Sequence, residues 1–232
     1  MKNRNLIISE LFYSIQGEGQ TMGFPAVFLR LSGCNILCKG KGWICDSIEV
    51  WKKGIKTPFE EVLDSDLVQR LDNGAHLIIT GGEPLLHQKK IVEFLEWFKQ
   101  VNGWIPIVEI ETNGTIIPID ELIKLVAYWN CSPKLSTTGE TRKRRYNEIA
   151  LKKIQAQKNS IFKFVISEEA DVLEMLNEFE VINMSQVVLM PSGENQKLLN
   201  EKREMVLKQC IELGLRYCDR LHIVAWNKKT GV

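Results

Sequence analysis

The chain has 232 residues, 44% of them hydrophobic, and its 30 Lys and Arg against 29 Asp and Glu leave a formal net charge of +1. That size and apolar content suit one domain with its own core, and the near-neutral charge excludes a general electrostatic grip on nucleic acid or on an anionic membrane. No run approaches the ~18 apolar residues of a spanning helix, and the N-terminal MKNRNLIISELFYS lacks a long apolar region and a small-residue cleavage site; a cytoplasmic protein with no membrane partner is expected.

In chain order, FPAVFLRL (24–31) reads as a strand, PFEEVLDSDLVQRLDNG (58–74) as a helix, HLIIT (76–80) as a strand and QKKIVEFLEWFKQVNG (88–103) as a helix. IPIVEIE (105–111) is the next strand, and VAYWNCS (126–132) a weaker one beside the turn-forming Ser132-Pro133. KLSTTGETRK (134–143) reads as a surface loop, RRYNEIALKKIQAQK (144–158) as a helix and IFKFVI (161–166) as a strand. Then follow the helix EEADVLEMLNEF (168–179), the strand QVVLM (186–190), the helix NQKLLNEKREMVLKQCIELG (195–214) and a last apolar run, LHIVAW (221–226), read as a strand. Strand and helix alternate in about six units, which predicts an α/β fold with a mostly parallel sheet. Periodicity leaves an open doubly wound sheet and an incomplete barrel both available; either puts its chemistry on loops at strand C-termini. No repeat or linker interrupts the pattern, so residues 1–232 are expected to form a single domain.

Six cysteines in a reducing compartment are not a disulfide framework, and three of them fall within one short loop. Cys131, Cys210 and Cys218 have no partner at metal-site spacing and read as ordinary thiols. The loop at 32–47 follows directly on VFLRL, and Cys34-x3-Cys38-x6-Cys45 gives three thiolates, one fewer than a closed zinc site or a fully ligated 4Fe-4S cluster. An open coordination position is implied. Spacing alone admits an iron-sulfur cluster, a zinc ion completed by a distant histidine, or no metal.

Three further segments carry a resemblance. Without Lys39-Gly40-Lys41-Gly42 the loop would read CNILCWICDS, similar to the Cys-x3-Cys-x2-Cys loop of the radical S-adenosylmethionine (SAM) superfamily. HLIIT runs into Gly81-Gly82-Glu83-Pro84, which resembles that superfamily's GGEP motif. Ser14-Ile15-Gln16-Gly17-Glu18-Gly19, then Gly23-Phe24-Pro25-Ala26 and Phe28-Leu29-Arg30-Leu31, narrow the resemblance to the 7-carboxy-7-deazaguanine synthase family, supported by Glu111-Thr112-Asn113-Gly114, Ser132-Pro133-Lys134, Leu221-His222, Trp226 and Gly231. The chain departs from the family in the four extra loop residues and in Ser47, where the family has Thr.

The resemblance implies an incomplete TIM-like (β/α)6 barrel of the radical SAM type. It implies that Cys34, Cys38 and Cys45 ligate a 4Fe-4S cluster whose fourth iron binds SAM, and that one electron cleaves SAM to a 5′-deoxyadenosyl radical. The radical takes a hydrogen from C6 of 6-carboxy-5,6,7,8-tetrahydropterin, and the ring contracts with loss of ammonia. By the same resemblance Asp46, Gly82, Glu83, Ser132, Pro133, Lys134, Met190 and Pro191 contact SAM. Ile15, Gln16, Gly17, Glu18, Arg30, Thr80, His222 and the carboxylate of Val232 contact the pterin, Glu18 and Gln16 at its amide-like edge and Arg30 at its carboxylate. Ser47 is implied as a Mg2+ ligand, a flavodoxin or ferredoxin as reductant, and a homodimer as the assembly.

For single residues the plainer readings stand beside these. Arg30 also reads as a surface strand residue, Lys134 as a solvated loop lysine, and His222 as a core histidine; His76 and His87 read as structural. The basic run Arg142-Lys143-Arg144-Arg145 reads as a solvated helix start rather than a nucleic-acid contact. Two rival functions use the same thiols: a radical SAM activase of a partner protein, which QGEG opposes, and a non-catalytic metal-binding module, which leaves GGEP, ETNG and SPK unexplained.

Overall fold

The computed structural model describes residues 4–40, 43–45, 48–227 and 229. The strands are β1 (Asn5–Ile15), β2 (Pro25–Leu31), β3 (Lys39–Gly40), β4 (Trp43–Ile44), β5 (Ile55–Pro58), β6 (His76–Gly81), β7 (Val108–Thr112), β8 (Tyr128–Cys131), β9 (Ser160–Ile166), β10 (Val187–Pro191) and β11 (Arg216–Tyr217). The helices are α1 (Ile48–Trp51), α2 (Ser65–Asp72), α3 (Gln88–Asn102), α4 (Asp120–Ile123), α5 (Arg142–Arg145), α6 (Glu148–Gln155), α7 (Glu169–Glu178), α8 (Gln196–Leu213) and α9 (Leu221–Trp226). Among the described residues no helix is long and apolar enough to cross a membrane.

Nine strands form one sheet in the order β11-β10-β9-β8-β7-β6-β2-β1-β5, a mixed α/β fold on a large, mostly parallel sheet. From β2 to β11 every neighbouring pair is parallel, and only β1 and β5 at one edge are antiparallel. The parallel part of that order, β2 to β11, follows the chain without reversal, so the doubly wound alternative, which needs a switch point between parallel strands, is not the fold adopted. Right-handed crossovers in a single direction put the crossover helices on one face of the sheet. The core agrees: Val27, Leu29, Leu77, Ile79, Val108, Ile110, Trp129, Phe162 and Phe164 from the strands share one cluster with Phe94 and Leu95 of α3, Leu151 of α6, Met175 of α7 and Val206 of α8.

Strand periodicity then dictates the other face. Register carries Arg30, Thr80, Glu111 and Asn130 across it in adjacent strands, with His76, Glu109 and Lys163 on the same side. His76, Thr80, Glu109, Asn130 and Lys163 are all buried. A sheet face this polar and this enclosed must satisfy its groups internally or serve a ligand.

Several expectations are corrected. LHIVAW is not a strand but α9, with Ile223 its only buried residue. Its chain turns back from β11 at Cys218–Arg220, and Leu221 N donates to Gly17 O at 2.9 Å, which draws the run across the polar face instead of along the sheet edge. The helix placed at 58–74 is only α2; its first residues end β5 and form a 3-10 turn at Phe59–Glu61. β1, an 11-residue strand in the N-terminal segment, was not among the expected elements.

The loop at 134–143 contains a 3-10 turn, Ser136–Thr138, and buries Leu135 and Thr138. The basic run is not simply solvated. Arg145 is 3% exposed, paired with Glu174 at 3.0 Å and Glu178 at 2.8 Å, and donates to Lys134 O at 3.0 Å. Both carboxylates regain some water if it is removed, so Arg145→Ala is expected to cost about 2 kcal/mol, less than a fully buried pair. A denaturant midpoint measures it.

Candidate functional site

β2 delivers its chain to Ser32 and then to Gly33, whose φ of 90° is a turn that other residues rarely make, and the cysteines follow at once. The four extra residues do not scatter the thiols. Lys39 pairs with Ile44 and Gly40 with Trp43 as a two-stranded antiparallel ribbon, and Cys45 N donates to Cys38 O at 2.9 Å at its base. Lys39–Gly40 and Trp43–Ile44 thus form a ribbon extruded from the loop, with Cys38 and Cys45 facing each other at its base.

The loop is held from two sides. Gly82 runs against it so closely that a Cβ there would lie 2.5 Å from the Cβ of Cys34 and nearer still to the Gly33 carbonyl oxygen. Glu83 N donates to Gly33 O at 3.0 Å. On the other side Asn35 accepts from Asn113 at 3.0 Å and donates to Thr115 at 2.8 Å, while Glu140 accepts from Leu37 N at 2.7 Å and Arg144 donates to Asn35 O at 2.9 Å. Gly82→Ala is therefore expected to displace the loop rather than unfold the sheet, costing about 1–3 kcal/mol and lowering iron retained per chain. Thermal melting and iron analysis of the same sample separate the two effects.

All three thiols are half-buried. Burial, with the charges of Glu83, Cys38 and Cys45 adding to it, pushes the Cys34 thiol up to about 11. A thiol held protonated in this way becomes a thiolate when a cation supplies the missing charge, which is the property of a metal-cluster site. Among the described residues no three His, Cys, Asp or Glu side chains converge as a single-ion site. A cube instead takes each thiolate at its own iron, and the donor set fits it.

Glu83 is wholly buried at the end of β6. Its carboxylate accepts from Leu85 N at 3.0 Å, Thr112 Oγ1 at 2.8 Å and Asn113 N at 2.7 Å, stapling β6 to β7. Burial pushes its pKa up, against those three bonds and the charge of Lys134. Lys134 lies on the same side and donates to Ser132 Oγ at 3.2 Å; Pro133, Met190 and Pro191 are buried at strand ends. These residues and Gly82 stand at the C-terminal ends of β6, β8 and β10, where the architecture puts ligands.

The second group lies on the polar face. Glu111 accepts from Gln16 Nε2 at 3.2 Å and from Thr80 Oγ1 at 2.9 Å, and so orients two expected substrate contacts at once. Glu18 is gripped by Lys163 and by Arg220 at 3.0 Å, with His222 Nε2 at 3.9 Å. Burial works against its charge, but Lys163, Arg220 and His222 outweigh it and hold the carboxyl far below the usual range. In the same way Glu18 and Glu111 overcome burial and raise Lys163. Gly17 packs on His222, where a Cβ would meet Nδ1 at 2.5 Å, so α9 forms a roof on the QGEG segment. Arg30 is paired through Nε with Glu10 at 2.8 Å.

The sequence did not single out Glu111, Lys163 and Arg220 as site residues. A lysine inside the apolar strand IFKFVI was the available signal, since an inward charge in a strand is retained only with a partner. His76, stacked on Tyr128 and tilted against Phe24, bonds Glu109, which accepts from Thr21 and Asn130; they form a separate buried layer. His87 bonds Ser32 O at 2.7 Å. Asp46, Ser47 and Val232 lie outside the described residues.

A family model described as a 4Fe-4S single cluster domain matches residues 15–118. The 7-carboxy-7-deazaguanine synthase of Pyrobaculum aerophilum is 35% identical over 229 residues, covering 97% of this chain and 96% of that protein. The enzyme of the same name from Halobacterium salinarum is 33% identical over 96% of this chain and 91% of that one. The crystal structure of QueE from Escherichia coli superposes with a TM-score of 0.67 at 22% identity, over 96% of this chain and 99% of that one.

Proposed function

The chain belongs to the 7-carboxy-7-deazaguanine synthase family, and from that membership we propose how its own residues serve the reaction. When bound at Cys34, Cys38 and Cys45, the 4Fe-4S cluster with SAM supplies the one-electron cleavage that starts ring contraction of 6-carboxy-5,6,7,8-tetrahydropterin to 7-carboxy-7-deazaguanine, with loss of ammonia. The observation that supports this reading is the Cys45 N to Cys38 O bond, which draws the two cysteine backbones together at the base of the inserted ribbon.

Gly82 leaves its backbone open to the SAM amino acid moiety, with Ser132, Pro133, Lys134, Met190 and Pro191 along the same strand ends and Asp46 beside the cluster. Glu83 holds β6 against β7 and presents its carboxylate edge to the ammonium. Gln16, set by Glu111, and Glu18, set by Lys163 and Arg220, take the amide-like edge of the pterin, aided by Ile15, Gly17, Thr80 and His222. Arg30 keeps Nη1 and Nη2 clear of the described residues and takes the pterin carboxylate end-on. α9 covers this space and keeps bulk water from a reactive intermediate.

The uninterrupted parallel order from β2 to β11 and the one-sided crossover helices support an incomplete (β/α)6 barrel curved around the polar face, within one domain of residues 1–232. Mg2+ at Ser47, the Val232 carboxylate on the pterin, a homodimer, a flavodoxin-type or ferredoxin-type reductant and a cytoplasmic setting complete the proposal. Anaerobic incubation of reconstituted protein with SAM, a chemical reductant and the tetrahydropterin is expected to yield the deazaguanine chromophore. SAM cleavage without that product, on protein carrying its full iron, would overturn the substrate assignment.

A further inference from the structure

We propose that the exposed cations ringing the cysteine loop form the docking surface of an acidic one-electron carrier protein; the inference rests on the cluster assignment above. Lys39 projects from the hairpin next to the ligand Cys38 and is exposed. On one flank lie Arg142, Lys143 and Arg144, all exposed and tied to the loop by the Arg144 bond to Asn35 O at 2.9 Å. Gly139 packs on Lys39 O and closes that junction. On the other flank lie Lys52 and Lys53, exposed at the end of α1, where Gly33 N and Ser32 Oγ both bond Trp51 O at 2.9 and 2.7 Å.

Six cations thus border one loop in a chain whose net charge is only +1. Arg144 is paired with Glu140 at 3.2 Å and Arg142 reaches Glu178 at 3.9 Å, while exposed Glu49 is the opposing charge on α1. The excess remains positive. Such a patch gains its effect from long-range steering and orientation more than from contact energy. It surrounds the shortest covalent route to the thiols, which is where an electron must enter. The carrier gives up one electron and the cluster accepts it; no bond forms or breaks, and no proton need move. The cations lie on the hairpin and on the two segments bonded to the loop rather than as one stripe along a groove, which favours a compact protein partner over a nucleic-acid backbone.

The test uses the full-length reconstituted protein and a purified acidic flavodoxin as probe. Binding is followed by fluorescence anisotropy of labelled flavodoxin, and cluster reduction by stopped-flow bleaching, from about 0.05 to about 0.3 M salt. Both should weaken steeply with salt. The triple variant K39E/K52E/K53E, or K143E alone should the triple fail to fold, is expected to slow reduction by flavodoxin about tenfold or more for the triple and to flatten its salt dependence. Product formation with a chemical reductant should stay unchanged, which separates failure here from failure of the proposed reaction. K197E/K208E on α8, which packs beside β10, should leave flavodoxin binding intact. Salt-independent binding, an equal loss in the α8 variant, or binding of a single-stranded RNA probe in place of flavodoxin would each overturn the proposal.

Discussion

Cys45→Ala is expected to abolish product formation and the bound cluster while leaving the sheet intact. Cys45 is half-buried at the neck of the hairpin, outside the large apolar cluster that joins strands to helices, so its thiol adds little to folding. Its backbone N–H, which pairs with Cys38 O, survives the substitution. The variant should therefore keep its far-ultraviolet circular dichroism and melting temperature. Reconstituted iron should drop well below the ~4 per chain of a complete cube. Full iron in Cys45→Ala would show that the hairpin presents a thiol the cluster does not use, and that a different side chain completes the site.

Glu18→Gln is expected to lower stability by ~3–5 kcal/mol, because it leaves Lys163 and Arg220 buried without their shared counter-charge. Lys163 side chain is 8% exposed and Arg220 15%, so neither can turn to water without repacking α9 or β9. The sign of the pH dependence follows from the folded carboxyl lying below its ordinary value of 4.5. Its stabilisation is fully present above that value and is lost as the pH falls through and beneath it. Wild type should thus lose stability on acidification below about pH 4.5, and the variant should lack that component. Chemical denaturation at a series of pH values reads both effects. Parallel curves for the two proteins would mean that Glu18 is not held by these cations.

Much of the parallel framework could be read from periodicity because its strands are buried on both faces and its helices bury one stripe. β2, β6, β9 and β10 fall where their apolar runs lie. β1 escaped because Ser9 and Glu10 interrupt its pattern at a bulge, where the register shifts between Ile8 and Glu10. LHIVAW misled because a six-residue apolar run has no period of its own; a tertiary anchor, Arg220 on Glu18, decides where the chain goes. In the site, the thiols and GGEP announced themselves by spacing. Glu111 and Lys163 did not, since each acts by gripping another residue from a distant strand, and that adjacency exists only after the sheet has formed.

The roof over the polar face joins Glu18 to Arg220, positions 202 residues apart in sequence. Translation is vectorial, so β1 and β2 leave the ribosome long before their covering segment is made. A nascent chain can assemble its parallel layers strand by strand, but it carries an unroofed, charged cavity until residues near 220 emerge. Such distant closure is the slow kind of contact to form, so the charged face stays open to water until the last segment of the chain has been made.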